Sequence, residues 1–196
     1  MADRGQRASF GSFRIAVNSL DGERGRSLRL SLRVETDAAE VRGMKFLADR
    51  MLGKLAKELR MLGYDTVYYR GENAYSLIKL AREEGRVILT RNTKLIPKRP
   101  EDSIIRITED KPPLQLRELI QKKVVSLNDK NLFTRCLLCN ILLDEISLEE
   151  AEGKVPDYIF HQQKTFSRCP QCQRIYWQGS HQDHMQRKIE ELFQPS

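Results

Sequence analysis

Hydrophobic positions along the chain follow a regular pattern from Met44 onward. Short apolar runs of strand length are followed by segments in which apolar residues recur every three or four positions, the spacing of an amphipathic helix. The runs predict strands at 44–48, 65–69, 87–90 and 103–107, and the helical segments span 50–62, 74–84 and 112–123. This alternation predicts an α/β fold, with a parallel sheet covered by helices on both faces and right-handed connections.

Two further segments flank this α/β unit, which we place at residues 44–126. Residues 1–43 contain eight arginines and no lysine, and we expect a poorly ordered or partial extension there. Met44 begins the first regular strand, so it competes with Met1 as the functional start. Residues 134–187 contain the cysteines and predict a second, small unit, with a charged tail helix that reaches about residue 193.

Composition narrows the classes of function. The 196 residues carry a formal net charge of +7, which favours a polyanionic partner. No apolar run approaches the roughly 20 residues of a transmembrane helix, and the first residues lack the apolar core of a signal peptide. We therefore expect a cytoplasmic protein with no membrane partner. The four cysteines form two Cys-x-x-Cys pairs, a spacing that favours metal over disulfides in such a protein.

The cysteine pairs have the spacing of a metal site. The first pair is Cys136 and Cys139, the second is Cys169 and Cys172, and 29 residues separate the pairs. Each pair can direct two sulfurs at one centre, and together they complete a tetrahedral thiolate site for zinc. Four thiolates leave no open position for a substrate, so the zinc would be structural. Four free thiols or an iron–sulfur cluster are the alternatives that the spacing leaves open.

Aromatic and histidine residues follow the second cysteine pair. Trp177, with Tyr176 beside it, is a candidate platform for unpaired bases, because aromatic side chains near a zinc ribbon can stack on them. The alternative is that both residues pack against the ribbon. His181 and His184 have a spacing that places both on one side of a helix, where they could hold a metal or serve as surface or capping residues.

Polar residues follow the predicted strands, at the edge where ligands gather in a parallel sheet. Asp49 follows the first strand, Asn92 the third, and Glu109 and Asp110 the fourth, while Glu72 lies in the connection after the second. Carboxylates at this edge could hold Mg²⁺ or Mn²⁺ and so activate water for attack on a phosphodiester. Alternatively, Asp49 could cap the following helix, and the acidic pair could only favour a helix dipole.

Basic residues lie close to these acidic positions. Arg50 and Lys54 come just after the first strand, and Arg91 and Lys94 come just after the third. These side chains are candidates for contact with phosphates, and the alternative is an ordinary solvated surface. A basic surface around an acidic site is the arrangement that metal-dependent hydrolysis of a nucleic acid requires.

Four motifs, spread over most of the chain, form a specific combination. They are MKFLADRMLGKLA from Met44, LRMLGYDT from Leu59, AREEGRVILTR from Ala81 and CPQCQRIYWQGSH from Cys169. Together they resemble the Mut-seven C-terminal RNase domain family over about residues 44–187. The resemblance implies a PIN-like nuclease domain joined to a C-terminal zinc ribbon, and hence a divalent-metal ribonuclease.

Individual acidic positions can be compared with the family pattern. Asp49 matches the acid after the first strand, and Glu109 and Asp110 match an acidic stretch after the fourth. The chain departs from the pattern at Asn92, where the family's third strand typically ends in Thr-Arg-Asp. An asparagine still offers a carbonyl oxygen but brings no charge, so it should weaken binding of Mg²⁺.

We therefore predict an α/β, PIN-like parallel sheet flanked by helices and followed by a small zinc ribbon. The predicted activity is hydrolysis of RNA, single-stranded by preference, with catalytic Mg²⁺ or Mn²⁺ and structural zinc. Asp49, Glu109 and Asp110 would bind the catalytic metal or support its ligands, and Asn92 would give a neutral ligand or a hydrogen bond. The alternatives are an RNA-binding adaptor that does not cut, and a protein-interaction module that uses the tail helix.

Overall fold

The first part of the fold is a parallel sheet. The structure is a computed structural model that describes residues 43–97, 99 and 102–194, without the side chains of residues 180–182. The expected extension over residues 1–43 lies outside the described residues except for Gly43. The strands are β1 (Phe46–Ala48), β2 (Thr66–Tyr68), β3 (Val87–Thr90) and β4 (Ile104–Arg106). All pair in parallel in the order β2–β1–β3–β4.

Helices cover both faces of this sheet. They are α1 (Gly53–Met61), α2 (Ala74–Glu84) and α3 (Pro112–Gln121). Successive strand residues point to opposite faces, so Phe46 and Leu89 pack with α1 and α3, whereas Leu47 and Ile88 pack with α2. The predicted α/β fold, with a parallel sheet flanked by helices, is confirmed.

The start of α1 differs from the expected boundary. The periodicity predicted a helix from residue 50, but α1 begins at Gly53 with Leu52 as its N-cap. The intervening residues form a turn in which the amide of Met51 donates to the Asp49 side chain at 2.9 Å. The suggestion that Asp49 caps this helix is therefore wrong, and its carboxylate belongs to the end of β1.

The cysteine-containing unit is a small antiparallel sheet with two short helices. Its strands are β5 (Asp144–Ile146), β6 (Phe166–Arg168) and β7 (Ile175–Trp177), in that order. The segment between β5 and β6 forms α4 (Leu148–Ala151) and α5 (Asp157–Gln162), which absorb the long gap between the cysteine pairs. Phe166 and Ile146 form its core with Ala151 and Ile159.

The last helix packs on the first unit. Helix α6 (Ser180–Phe193) is the predicted tail helix, and it begins three residues before the expected start at about residue 183. Its Ile189 is 3% exposed and lies in the same core cluster as Leu59 and Leu119, beside Leu192 and Phe193. The helix is therefore part of the α/β core. Within the described part of the chain, no helix combines the length and apolar character needed to span a membrane.

Candidate functional site

Asp49 lies at the C-terminal end of β1, between the ends of β2 and β3. The residue is 7% exposed. Its Oδ2 accepts a hydrogen bond from the Thr90 hydroxyl and another from the Arg91 amide at 3.3 Å, and its Oδ1 accepts from the Met51 amide at 2.9 Å. Each carboxylate oxygen has two acceptor sites. The carboxylate is therefore fixed in orientation, and Oδ1 retains capacity for one further ligand.

Asn92 lies in the turn that follows β3. The backbone amide of Asn92 donates to the Thr90 hydroxyl oxygen at 2.9 Å, and the side-chain Oδ1 accepts from the backbone amide of Lys94 at 2.9 Å. The second contact is the local side-chain bond by which asparagine stabilises a turn. Because Thr90 also donates to Asp49, one hydrogen-bonded chain joins the ends of β1 and β3.

A cleft of about 510 Å³ opens over these strand ends, and we call it the strand-end cleft. Its charged lining is Asp49, Arg50, Glu72 and Arg91, and Asn92 also lines it. Glu72 pairs with Arg50, and both side chains are well exposed. Two carboxylates and the side chains of Asn73 and Asn92 thus line a common space, in which two guanidinium groups balance the charge of the carboxylates.

Asp110 is not part of the lining of the strand-end cleft. Its side chain is 81% exposed and pairs with Arg91. The Cys set described below is the only group of three or more His, Cys, Asp or Glu side chains that could hold a metal among the described residues. Asp49 accepts from the Arg91 backbone amide and Asp110 pairs with the Arg91 side chain. Within the described residues these two carboxylates do not form a metal-binding group with Glu109.

Glu109 contributes its main chain to the loop after β4. Its amide donates to Glu118 at 3.1 Å, and its carbonyl accepts from Gln115 at 3.0 Å. Burial opposes ionisation of Glu118, but hydrogen bonds from Lys122 and from the amides of Glu109 and Thr108 outweigh it and lower the pKa of Glu118. An ionised Glu118, which the sequence did not single out, therefore holds this loop in place.

A second cleft, of about 740 Å³, lies beside α1, and we call it the basic cleft. Its charged lining consists of five cations and one anion: Lys54, Lys57, Arg60, Arg70, Arg91 and Asp110. Lys54, Lys57 and Arg60 recur every third residue along α1, which places them along one side of the helix. Arg91 lines both clefts and connects them, whereas the exposed Lys94 belongs to neither lining.

The four cysteine sulfurs form a compact group. The Sγ atoms of Cys136, Cys139, Cys169 and Cys172 all lie within 4.8 Å of one another, and all four cysteines are free of disulfides. The Cys136 and Cys172 sulfurs are 3.7 Å apart. Tetrahedral Zn–S bonds of about 2.3 Å require about 3.8 Å between sulfurs. The four cysteines could therefore hold one structural metal ion such as zinc.

Both cysteine pairs use the same local backbone. We call residues 136–140 the first cysteine turn and residues 169–173 the second. Each turn ends in the left-handed conformation, at Asn140 (φ 66°) and Gln173 (φ 59°). The amides of these residues donate to the carbonyls of Cys136 and Cys169, each at 2.9 Å. The repeated geometry directs two sulfurs from each turn toward a shared centre.

The residues of β7 next to this centre have two different roles. Burial opposes ionisation of Cys136, but the Tyr176 hydroxyl, 3.2 Å from the sulfur, and the amides of Cys139 and Leu138 lower the pKa of this thiol to about 6. Tyr176 thus favours the thiolate that a metal needs. Trp177 is half-buried and packs against the small core around Phe166.

One comparison identifies the family. A model of the Mut7-C RNAse domain matches residues 44–189. The chain belongs to the Mut7-C RNAse domain family. This confirms the resemblance found in the sequence and points to a nuclease or RNA-related function with RNA as a substrate. No curated protein and no solved structure matches the chain.

In this Mut7-C RNAse domain, Arg60 joins the cysteine site to the sheet. The buried guanidinium donates to the carbonyls of Leu137 and Leu138, at 2.6 and 3.1 Å, and to the carbonyl of Thr66 at 2.9 Å. Asn140 adds to the junction, since its side chain accepts from the Thr66 amide at 2.9 Å and donates to Asp65 at 2.6 Å. The first cysteine turn is therefore fixed to the start of β2.

Among the described histidine side chains, none belongs to the four-cysteine centre. His184 is exposed on α6 and belongs to none of the metal-binding groups found in the described residues, while the His181 side chain lies outside the description. Arg60 and Arg70 were missed as site residues, Arg60 because its role depends on contacts with the first cysteine turn and Arg70 because it lines the basic cleft only in the folded chain. The three-residue spacing on α1 was a signal for Arg60, whereas Arg70 had none.

Proposed function

We propose that this chain is a divalent-metal-dependent ribonuclease whose catalytic centre is the strand-end cleft. The observation that carries the proposal is the placement of Asp49, a carboxylate oriented by three donors at the end of β1. Because β2 lies on one side of β1 and β3 on the other, this is the crevice where open parallel sheets bind ligands. Membership of an RNAse domain family supports RNA as the substrate class.

The oxygen atoms of the strand-end cleft fit the preferences of Mg²⁺ or Mn²⁺. These ions favour oxygen ligands, and Mg²⁺ usually keeps several waters beside one or two carboxylates. Asp49 and Glu72 would hold the ion, and Asn92 would add an amide oxygen or a hydrogen bond. When bound, the ion would act as a Lewis acid on the scissile phosphate and activate water. Glu109 is not part of this set, because its observed contacts position the loop after β4.

The basic residues would hold the substrate beside Asp49. The backbone amide of Arg91 donates to Asp49, and Arg91 lines both clefts. A phosphate bound by Arg91 would therefore lie close to the carboxylate, with Asp110 orienting the guanidinium. Arg50, Lys54 and Lys94 would add charge to the surrounding surface. Zinc at the four cysteines would serve a structural role.

A cleavage assay tests the catalytic proposal. Zinc-replete protein would be incubated with single-stranded RNA of mixed sequence, with Mg²⁺, with Mn²⁺, or with neither. We expect cleavage only with added metal, and we expect Asp49→Asn to abolish it without changing the circular dichroism spectrum. Asp144→Asn, at an exposed position on β5, is the matched control for a lost carboxylate. Cleavage by Asp49→Asn at the wild-type rate would overturn the proposal.

A second candidate is an RNA-binding adaptor without cleavage activity, and the turn at Asn92 favours it. Asn92 brings no charge, and its side-chain oxygen already accepts a hydrogen bond from the Lys94 amide. An aspartate could make the same bond, so Asn92→Asp should preserve the turn and add one negative charge. Cleavage that appears only in Asn92→Asp would identify the natural chain as an adaptor. Cleavage by both proteins, faster in Asn92→Asp, would support the ribonuclease.

A further inference from the structure

Three clefts follow one another across the surface of the molecule. Arg91 lines both the strand-end cleft and the basic cleft. At its other side the basic cleft shares Leu137 with a third cleft of about 520 Å³, which lies between the cysteine unit and α6. Leu137 belongs to the first cysteine turn. This turn therefore lies between the basic cleft and the third cleft and contributes to the lining of both.

The third cleft has an aromatic lining, and we call it the aromatic cleft. Tyr158, Tyr176 and Trp177 contribute rings, with Tyr158 65% exposed. Its volume falls within the roughly 300–1,000 Å³ typical of small-molecule sites. No lysine, arginine, aspartate or glutamate of the described residues is part of this lining. The chemistry suits a flat, uncharged group with a π-face.

The basic cleft has the complementary chemistry. Lys57 and Arg70 are exposed, and Asp110 is the one acidic residue in the described lining. Such a groove suits phosphate groups spaced along a chain. A ligand with both negative charges and flat rings would use the two clefts together, and proteins bind single-stranded nucleic acid with this combination of basic groove and aromatic platform.

We propose that the basic and aromatic clefts form one binding site for single-stranded RNA. The backbone lies along Lys57 and Arg70, and a base passes the first cysteine turn at Leu137 to stack on Trp177 or Tyr158. RNA is preferred over a protein segment as the occupant because the apolar cleft lies next to a strongly cationic one, with Leu137 in the lining of both. The inference rests on the proposed function only in naming RNA, and it does not require that the RNA be cut.

The sequence offers a direct probe of this site. Trp177 is the single tryptophan of the chain. Its fluorescence therefore reports on the aromatic cleft in the unaltered full-length protein. Zinc-replete protein without added Mg²⁺ or Mn²⁺ would be titrated with a single-stranded oligoribonucleotide, and separately with inorganic polyphosphate. We expect RNA to quench Trp177, and polyphosphate to compete with RNA while leaving the fluorescence unchanged.

Two variants, each with a matched control, test the contributions of the two clefts independently. Tyr158→Ala should weaken RNA binding by about 5- to 150-fold, the effect of losing one stacked base, and should leave the dependence on salt unchanged. Tyr75→Ala, at a 72% exposed position outside these clefts, is its control. Lys57→Gln should reduce the slope of log affinity against log salt by about 0.7, the value for one lost phosphate contact with a single strand. Lys79→Gln, on the exposed side of α2, is its control.

The outcomes distinguish this inference from the catalytic proposal. Quenching with no cleavage would support the binding site and overturn the ribonuclease. Cleavage with no quenching and no effect of Tyr158→Ala would overturn the binding site and leave the ribonuclease standing. Absence of RNA binding would overturn both.

Discussion

Glu58 gives the chain an unusual dependence of stability on pH. It lies on α1, and its Oε2 is buried without a hydrogen-bond partner among the described residues. Burial raises the pKa of this carboxyl to about 7, and the positive charges of Lys188 and Lys54 only partly offset the rise. In the unfolded chain the ordinary value is 4.5. The folded protein therefore binds a proton that the unfolded chain releases between these two pH values.

The sign of the effect follows from proton binding. Because the folded state holds more protons between pH 4.5 and about 7, the free energy of unfolding falls as pH rises through this window. One pH unit corresponds to about 1.36 kcal/mol, so a rise in pKa from 4.5 to about 7 gives at most about 3 kcal/mol. Partial exposure of the side chain to solvent reduces the expected loss to about 1–2 kcal/mol.

The variant Glu58→Gln tests this directly, since glutamine keeps the shape and cannot ionise. Urea unfolding should show it more stable than wild type by about 1–2 kcal/mol at pH 8 and equal to wild type at pH 4.5. Glu191→Gln, at an exposed position on α6, should change neither value. A gain in Glu58→Gln that is the same at both pH values, or a loss at pH 8, would refute the reasoning.

Three further predictions concern the junction and the metal centre. Removal of metal by a chelator should lower the midpoint of thermal unfolding. Metal analysis should find one zinc per chain, since four thiolates complete one tetrahedral site. A full complement of iron would contradict this prediction. Arg60→Met should lower the free energy of unfolding in urea by about 2–4 kcal/mol, because three carbonyls lose a charged donor. A loss below about 1 kcal/mol would mean that these bonds do not hold the junction. Asn140→Gly leaves the backbone free to adopt φ 66° but removes two side-chain hydrogen bonds. It should lower the free energy of unfolding by about 1–3 kcal/mol. Gln173→Gly, at the matching position of the second turn, should lower it by less.

Local patterns were sufficient to predict most of the fold. The apolar spacing located the four parallel strands because each is a short, mostly apolar run, and β1, β2 and β4 are each followed by an amphipathic helix. Helix α2 ends at Glu84, as the periodicity predicted, and Gly85 after it adopts the left-handed conformation that favours glycine. The start of α1 was missed because a side-chain contact between Asp49 and the Met51 amide replaces the first helical turn. That contact belongs to the site and has no signature in hydrophobic periodicity.

The candidate site was only partly predictable, because the direction of a loop side chain depends on tertiary contacts. The order of the strands brings Asp49 and Asn92 to one cleft, and position after a strand was enough to select both. Glu109 was selected by the same rule, but its side chain is not part of either cleft lining. The direction of a side chain after a strand depends on the following loop, and here Glu118, nine residues further on, determines that loop. Such a tertiary contact cannot be deduced from a single sequence.

The junction at Arg60 means that the cysteine centre and the proposed RNA site are not independent. Arg60 holds the carbonyls of Leu137 and Leu138, and these two residues, which separate Cys136 from Cys139, also line the basic cleft. A metal that fixes both cysteines therefore fixes one wall of that cleft, although no metal ligand needs to touch RNA. Loss of the metal should then weaken RNA binding even under conditions where the parallel sheet remains folded. The zinc would be coordinated only by cysteines, yet RNA binding would depend on it. The turn that it stabilises lies between the part of the proposed site that binds phosphates and the part that binds a base.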